Sequence, residues 1–223
     1  MSPESALPTE PRRLLLATTN PHKIEELRAI LAGLPYVLVS PNDIGLALEV
    51  EETGTTFAEN AMLKATAWAD AANMLTLAED SGLEIDALGG EPGVYSARWA
   101  GEGVSYEERF RILLGRLADV PAERRSARYR AAIAIARAAP VGVLGLFEGT
   151  LDGQIAFAPA GSGGFGYDPI FYVPEQQRTV GQMSGEGKHL ISHRARAAAA
   201  ARDLLRQLAE SSATEAPQPD EGN

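Results

Sequence analysis

The 223-residue chain contains no cysteine, so neither a disulfide nor a thiolate metal site contributes to its structure or chemistry. That absence fits a reducing compartment, and a cytoplasmic location is expected. Long apolar runs are missing too. No stretch reaches the ~18 residues of a spanning helix, so no membrane association is expected. The first eleven residues carry Glu4 and Glu10 and lack the basic start and apolar centre of a signal peptide. Residues 1–12 read as a disordered extension. Positive charge is also short: 20 Lys and Arg face 30 Asp and Glu, a formal net charge of −10. A protein that wraps a nucleic-acid backbone needs a basic face to displace counterions, so polymeric nucleic acid is not the expected partner. A small anion held by a few fixed cations and a metal remains compatible.

What is present suits a globular protein. The 45% apolar content is enough to bury a full core, and the length fits one large domain or two tightly packed lobes. There is no internal repeat and no separating linker. One domain is expected over 13–210, followed by a polar, disordered tail at 211–223.

Arg13–Thr18 is an apolar run that reads as a buried strand. Asn20-Pro21 then supplies an N-cap and a proline at the first helical position. Ile24, Leu27, Ile30 and Leu31 recur at helical spacing up to Gly33. Tyr36–Ser40 reads as a second strand, Phe57–Asn73 as an Ala-rich helix, and Leu75–Ala78 as a strand ending at Glu79-Asp80-Ser81-Gly82. A further strand is expected over Leu83–Ala87 and a helix over Ser105–Leu117. Ala127–Ala138 is ambiguous: alternation at Tyr129, Ala131, Ile133 and Ile135 suggests strand, whereas its alanines suggest helix. It is taken as the antiparallel partner of Val141–Thr150, joined near Ala139-Pro140. A glycine-rich loop, Gly161–Gly166, leads into Tyr167–Val173, and Ser192 caps a helix running to about Ala209. The expected class is α/β with a mixed sheet.

Four constellations carry candidate chemistry. Thr18-Thr19-Asn20-Pro21-His22-Lys23 sits where a strand becomes a helix. There backbone amides, hydroxyls and a lysine can hold an anion, although the same residues also make an ordinary cap. The acidic patches Glu49-Val50-Glu51-Glu52 and Glu79-Asp80 offer the oxygen ligands that magnesium prefers. Asp80 is the stronger candidate, read as the end of a strand at a Ser-Gly turn; a turn-forming aspartate is the alternative. In Gly161–Asp168, small residues admit close approach of a ligand. Phe165 and Tyr167 there either stack on a heterocycle or fill the core. Lys188, His193 and Arg194 gather near a helix start. Cations are disfavoured at that end of the dipole, which points to a functional use.

Together and in this order, these segments resemble the inosine triphosphate pyrophosphatase (Ham1) family. The matching strings are Thr18–Lys23, EETGTTFAEN at 51–60, AEDSGL at 78–83, GGEPGVYSAR at 89–98, GGFGYDPIF at 163–171 and Ser192–Arg194. The resemblance covers about Arg13–Leu208. It implies a long mixed central sheet flanked by helices, two lobes with a cleft between them, and a homodimer. It also implies magnesium-assisted hydrolysis of abnormal purine nucleoside triphosphates, inosine and xanthosine forms, to the monophosphate and pyrophosphate.

Carried over by position, Thr18, Thr19, Asn20, Pro21, His22 and Lys23 bind substrate, with Thr18, Asn20, Lys23 and Lys188 on the phosphates. Glu51 and Asp80 hold magnesium, Asp80 also serving as the base that activates water. Ser81 contacts the substrate. Phe165, Gly166 and Tyr167 enclose the purine, and Asp168, His193 and Arg194 read its edge. Two departures stand out. Glu79 replaces an aspartate common in the family, and adjacent Glu51 and Glu52 leave the register of the metal ligand open, with Glu51 preferred. A relative specific for modified pyrimidines, and a binding regulator without catalysis, are the rival readings.

Overall fold

The computed structural model describes residues 11–101 and 103–214, with side chains to 211. The expected disordered segments at 1–12 and 211–223 fall largely outside that range. Seven strands form one mixed sheet: β1 (Arg13–Leu16), β2 (Val37–Val39), β3 (Thr76–Ile85), β4 (Ser126–Arg137), β5 (Gly142–Ile155), β6 (Phe171–Val173) and β7 (Arg178–Thr179). Their order is β2-β1-β3-β4-β5-β6-β7. β1 is parallel to both neighbours, and every pairing from β3 onward is antiparallel. The mixed sheet is thus as expected. β1 with its helical crossovers makes the parallel part, and antiparallel pairings make the rest.

Helices cover both faces. α1 (Pro21–Ile30) and α5 (His193–Thr214) lie on one side, and α2 (Phe57–Ala72) on the other. α3 (Tyr106–Arg116) closes a separate apolar cluster around Leu83, Tyr129 and Phe171, and α4 (Gly185–Ile191) precedes α5. α2 starts with a reciprocal cap between Thr56 and Glu59 and ends at Asn73 in the left-handed region. α5 continues to Thr214, past the expected end near Ala209.

The ambiguity at 127–138 resolves as strand because β4 is buried on both faces. Ala131, Ile133 and Ile135 face α1 and α5, while Ala132, Ala134 and Ala136 face α2. The alanines that suggested helix are there because small side chains let α2 sit close to the sheet.

One expectation is overturned. Glu79-Asp80-Ser81-Gly82 is no turn, and the separate strands at 75–78 and 83–87 are one. β3 pairs with β4 without interruption from Thr76↔Ala136 to Ile85↔Ala127. The polar quartet mimics a turn, but its members point alternately to the two faces, as strand geometry requires. Gly82 is needed for packing: a Cβ there would run into Ser96, the Gly93 carbonyl and the Phe57 ring. Two elements escaped the sequence reading, β7 and α4. Both are short, and α4 contains two glycines, so neither carries a period long enough to detect.

Candidate active site

The alternation along β3 builds the site. Glu79 and Ser81 project toward α1 and α5, whereas Asp80 projects toward α2. Asn60 and Lys64, one turn apart on α2, both reach Asp80: Asn60 Nδ2 donates to Oδ2 at 3.2 Å and Lys64 Nζ to Oδ1 at 2.9 Å. Lys64 also pairs with Glu52 at 2.6 Å, and Arg98 reaches the other Glu52 oxygen at 3.1 Å. Asp80 is 6% exposed. Burial pushes its carboxyl above the ordinary value, although Lys64 opposes the shift. A carboxylate so placed is a better proton acceptor than a solvated aspartate.

Asp80, Lys64 and Glu52 line a cleft of about 380 Å³ together with Thr18, Thr19, Asn20, Lys23, Glu49, Glu79 and Ser81. Asn20 caps α1 by accepting from the amides of His22 (3.0 Å) and Lys23 (3.4 Å). The first-turn amides are therefore committed to the cap, and the Lys23 ammonium faces the cleft. Burial lowers the Lys23 pKa, partly offset by Glu79 at 3.9 Å. Pro21 stays exposed at the first helical position.

The cleft continues past Asn20, Lys23, Ser81 and Ala97 into an aromatic end lined by Tyr106, Tyr129, Phe165, Gly166, Tyr167, Asp168, Lys188, His193 and Arg194. Phe165 is stacked on His22 with a centroid distance of 5.2 Å. Lys188 Nζ lies 4.5 Å from its ring centroid, and the Arg194 guanidinium 5.4 Å. Tyr167 donates its hydroxyl to the Ser96 carbonyl at 3.1 Å, and burial pushes its pKa up to about 12.

The two ends share a buried chain of alternating charges. Lys188 pairs with Asp168 and with Glu26, each at 2.7 Å. Glu26 then pairs with Arg194, which grips Glu79 through two parallel bonds of 2.8 and 2.9 Å. Arg194 is 1% exposed. Its charge, with that of Lys23, holds Glu79 far below the ordinary carboxylate range against the cost of burial. His193 is neutral, because burial and Arg194 push its pKa well down, and its Nδ1 has no partner among the described residues. Gly149 on β5 lets this corner form. A Cβ there would overlap the His193 carbonyl and the Ala197 amide.

The structure therefore gathers most of the sequence candidates into one cleft; Pro21 and His22 line neither end of it, and three further adjustments follow. Glu52, not Glu51, is joined to Asp80 through Lys64; Glu51 is exposed and Glu52 half-buried, because alternate residues of an extended segment face opposite ways. Lys188 lies at the aromatic end, away from the Asp80 end. Asp168 has its oxygens on the Phe165 amide (2.8 Å), Lys188 and the Tyr129 hydroxyl (3.1 Å). Lys64, Asn60, Glu26 and Arg98 were missed. Asn60 and Arg98 end the strings 51–60 and 89–98 that carry the family resemblance, and Asn60 and Lys64 stand at i, i+4 spacing on α2.

The profile of the Ham1 family matches residues 14–204. A dITP/XTP pyrophosphatase of Symbiobacterium thermophilum is 51% identical over 199 residues, 89% of this chain and 98% of that protein. The dITP/XTP pyrophosphatase of Geobacter sulfurreducens is 47% identical over 193 residues, 86% and 96% of the two chains. Among solved structures, the Staphylococcus aureus Ham1 protein superposes with a TM-score of 0.76 at 40% identity, covering 90% of this chain and all of that one. A HAM1 protein from Coxiella burnetii gives 0.78 at 37% identity, covering 89% and 99%.

Proposed function

The chain belongs to the Ham1 family, and from that premise we propose that it hydrolyses abnormal purine nucleoside triphosphates, dITP and XTP among them. The products are the nucleoside monophosphate and pyrophosphate, which makes the protein a hydrolase of acid anhydrides that cleanses the nucleotide pool. The observation that carries this reading is the single cleft with two unlike ends. One end presents aromatic faces and fixed polar groups to a heterocycle; the other presents Lys23 and a buried carboxylate, Asp80, to phosphate.

Asp80 is the catalytic base in this reading. Water attacks the α-phosphorus, its proton passes to an Asp80 oxygen, and the bond to the β-phosphate oxygen breaks to release pyrophosphate. Lys23, Thr18 and Thr19 hold the phosphates in line, so that much of the acceleration comes from positioning. The donor set at Asp80 suits a divalent ion. Asp80 and Glu52 supply hard oxygen ligands, and the Lys64 ammonium between them marks a place already tuned for positive charge. Among the described residues no group of three His, Asp or Glu side chains is arranged to hold a metal. Magnesium would therefore rest on these two carboxylates and the substrate phosphates, a common arrangement for that ion. When bound it would neutralise phosphate charge.

At the aromatic end, donors from His193 and the Lys188–Arg194 corner suit the O6 carbonyl of hypoxanthine or xanthine. Adenine would set a donor against a donor there, a costly mismatch in a buried site. Among the described residues no helix is long and apolar enough to cross a membrane; a cytoplasmic homodimer is the assembly the family resemblance supports, and sedimentation velocity tests it.

The deciding experiment is a steady-state panel with magnesium: dITP, XTP, dATP, dGTP and a methylated pyrimidine triphosphate, with monophosphate and pyrophosphate assayed separately. Equimolar monophosphate and pyrophosphate from dITP and XTP, with kcat/KM about 100-fold above dATP, is expected. Release of orthophosphate, or preference for the pyrimidine, would overturn the reading.

Lys64 offers a second check. Its ammonium opposes the upward shift of the Asp80 pKa, so Lys64→Met raises that pKa further. The acid limb of the kcat profile then moves to higher pH, and kcat at neutral pH falls about tenfold. An acid limb that stays in place would show that Lys64 does not tune the base.

A further inference from the structure

Tyr129 lies in the middle of β4, opposite Leu83 of β3 and Leu151 of β5. Arg128 and Arg130 flank it and form ion pairs on the opposite face, whereas Ala127 and Ala131, on its own face, only fill space. Its ring lies between two others. His193 is stacked on it at 4.8 Å with an interplanar angle of 15°, and Phe171 packs against it at 4.4 Å and 30°. Its hydroxyl donates to Asp168 Oδ1 at 3.1 Å. The side chain also lines the aromatic end of the cleft. One residue thus touches both groups that flank the heterocycle end from different chain segments, the carboxylate before β6 and the imidazole that opens α5.

Each contact restricts something specific. Asp168 is the carboxylate partner of the Lys188 ammonium, so it accepts and the Tyr129 hydroxyl donates to it. Burial and the nearby carboxylate raise the Tyr129 pKa far above its ordinary value, which keeps that proton in place. With one Asp168 oxygen fixed by Tyr129, the other is left to hold the Phe165 amide and Lys188. The orientation of the Phe165 loop follows from this. His193 has no polar partner at Nδ1 among the described residues, so nothing polar fixes its ring there. The flat face of Tyr129 does so instead.

We propose that Tyr129 is a positioning residue for purine selection: it sets the plane of His193 and the orientation of Asp168, and through them the shape of the base-reading end. This rests on the purine triphosphate reading above. Tyr129 itself touches no reacting atom, and its removal is expected to act on binding rather than on the chemical step.

The test compares wild type with Tyr129→Phe, which keeps the ring and removes the hydroxyl, on dITP and dATP at saturating magnesium. KM for dITP is expected to rise about fivefold while kcat changes less than about twofold, and KM for dATP is expected to move little. The preference for dITP narrows accordingly. An unchanged KM for dITP, or an equal fall in kcat on both purines, would overturn the proposal in favour of a plain core residue. A measurement on the unmodified protein stands beside it: the His193 ring protons should show upfield ring-current shifts, identified by their loss in His193→Gln. Ordinary chemical shifts for His193 would equally overturn the proposal. If the wild type releases no pyrophosphate from dITP, the functional reading fails instead, and the His193 shifts still decide the stacking contact on which the positioning depends.

Discussion

Asp80→Asn is expected to lower the rate of pyrophosphate release from dITP by about a thousandfold while leaving the melting temperature nearly unchanged. The amide is the same size as the carboxyl but cannot accept a proton at neutral pH. Lys64 keeps Glu52 as a partner at 2.6 Å, so no ammonium is stranded, and Asn60 retains its bond to the Gly54 amide at 2.8 Å. Structure therefore survives and chemistry does not. The residue before it gives the contrast. Glu79→Gln leaves the base intact but breaks the paired bonds to Arg194 and is expected to act mainly on stability. Stopped assays at saturating substrate, with circular dichroism melts of both variants, separate the two. Near-normal turnover in Asp80→Asn would remove Asp80 from the reaction.

The second large effect is expected at Arg194. Replacing it by alanine leaves Glu79 and Glu26 buried, with Lys23 at 3.9 Å and Lys188 at 2.7 Å as their remaining cations. Breaking a buried pair in this way costs about 3–5 kcal/mol, because a charge is left without its partner. For a chain of this length that corresponds to a fall in Tm of roughly 10 °C. The pH dependence identifies the cause. In the wild type both carboxyls are held below their ordinary values. Their contribution is present above about pH 4.3, the unfolded value, and is lost as the pH falls through the lower folded values. Without Arg194 both carboxyls protonate more easily, and protonation relieves the variant. Its deficit should shrink as the pH is lowered from 8 toward 5. A deficit independent of pH would point to lost packing instead. Arg194→Lys, which keeps the charge and loses the fork, should fall between the two. If the folded fraction of Arg194→Ala retains full preference for dITP over dATP, Arg194 does not take part in reading the base.

The comparison of sequence with structure is most instructive at β3. The string AEDSGL marks candidate chemistry, and the structure buries Asp80 at the cleft; on sequence alone its setting reads as a turn. Propensity gave that answer, since Asp, Ser and Gly together favour turns. Tertiary pairing reversed it, because β4 supplies a partner for every position. Lys188 shows the same limit from the other side. The family resemblance assigns Lys188 to the phosphates, and only the fold brings Glu26 and Asp168 to it from elsewhere in the chain.

The sequence by itself determined the α/β class, the Asn20 cap of α1, the absence of thiol chemistry and the ordered motifs that mark the family. These depend on local periodicity, on hydrogen bonds within a few residues, and on residue types in order, all of which a string carries. The tertiary structure alone decided which face each motif residue serves. It put Asp80 with Asn60 and Lys64, Glu79 with Arg194, and Glu52 rather than Glu51 on the Lys64 that reaches Asp80. Adjacent residues of an extended chain point in opposite directions, so their partners are fixed by what packs on each face of the sheet, and that is set by residues far away in the chain.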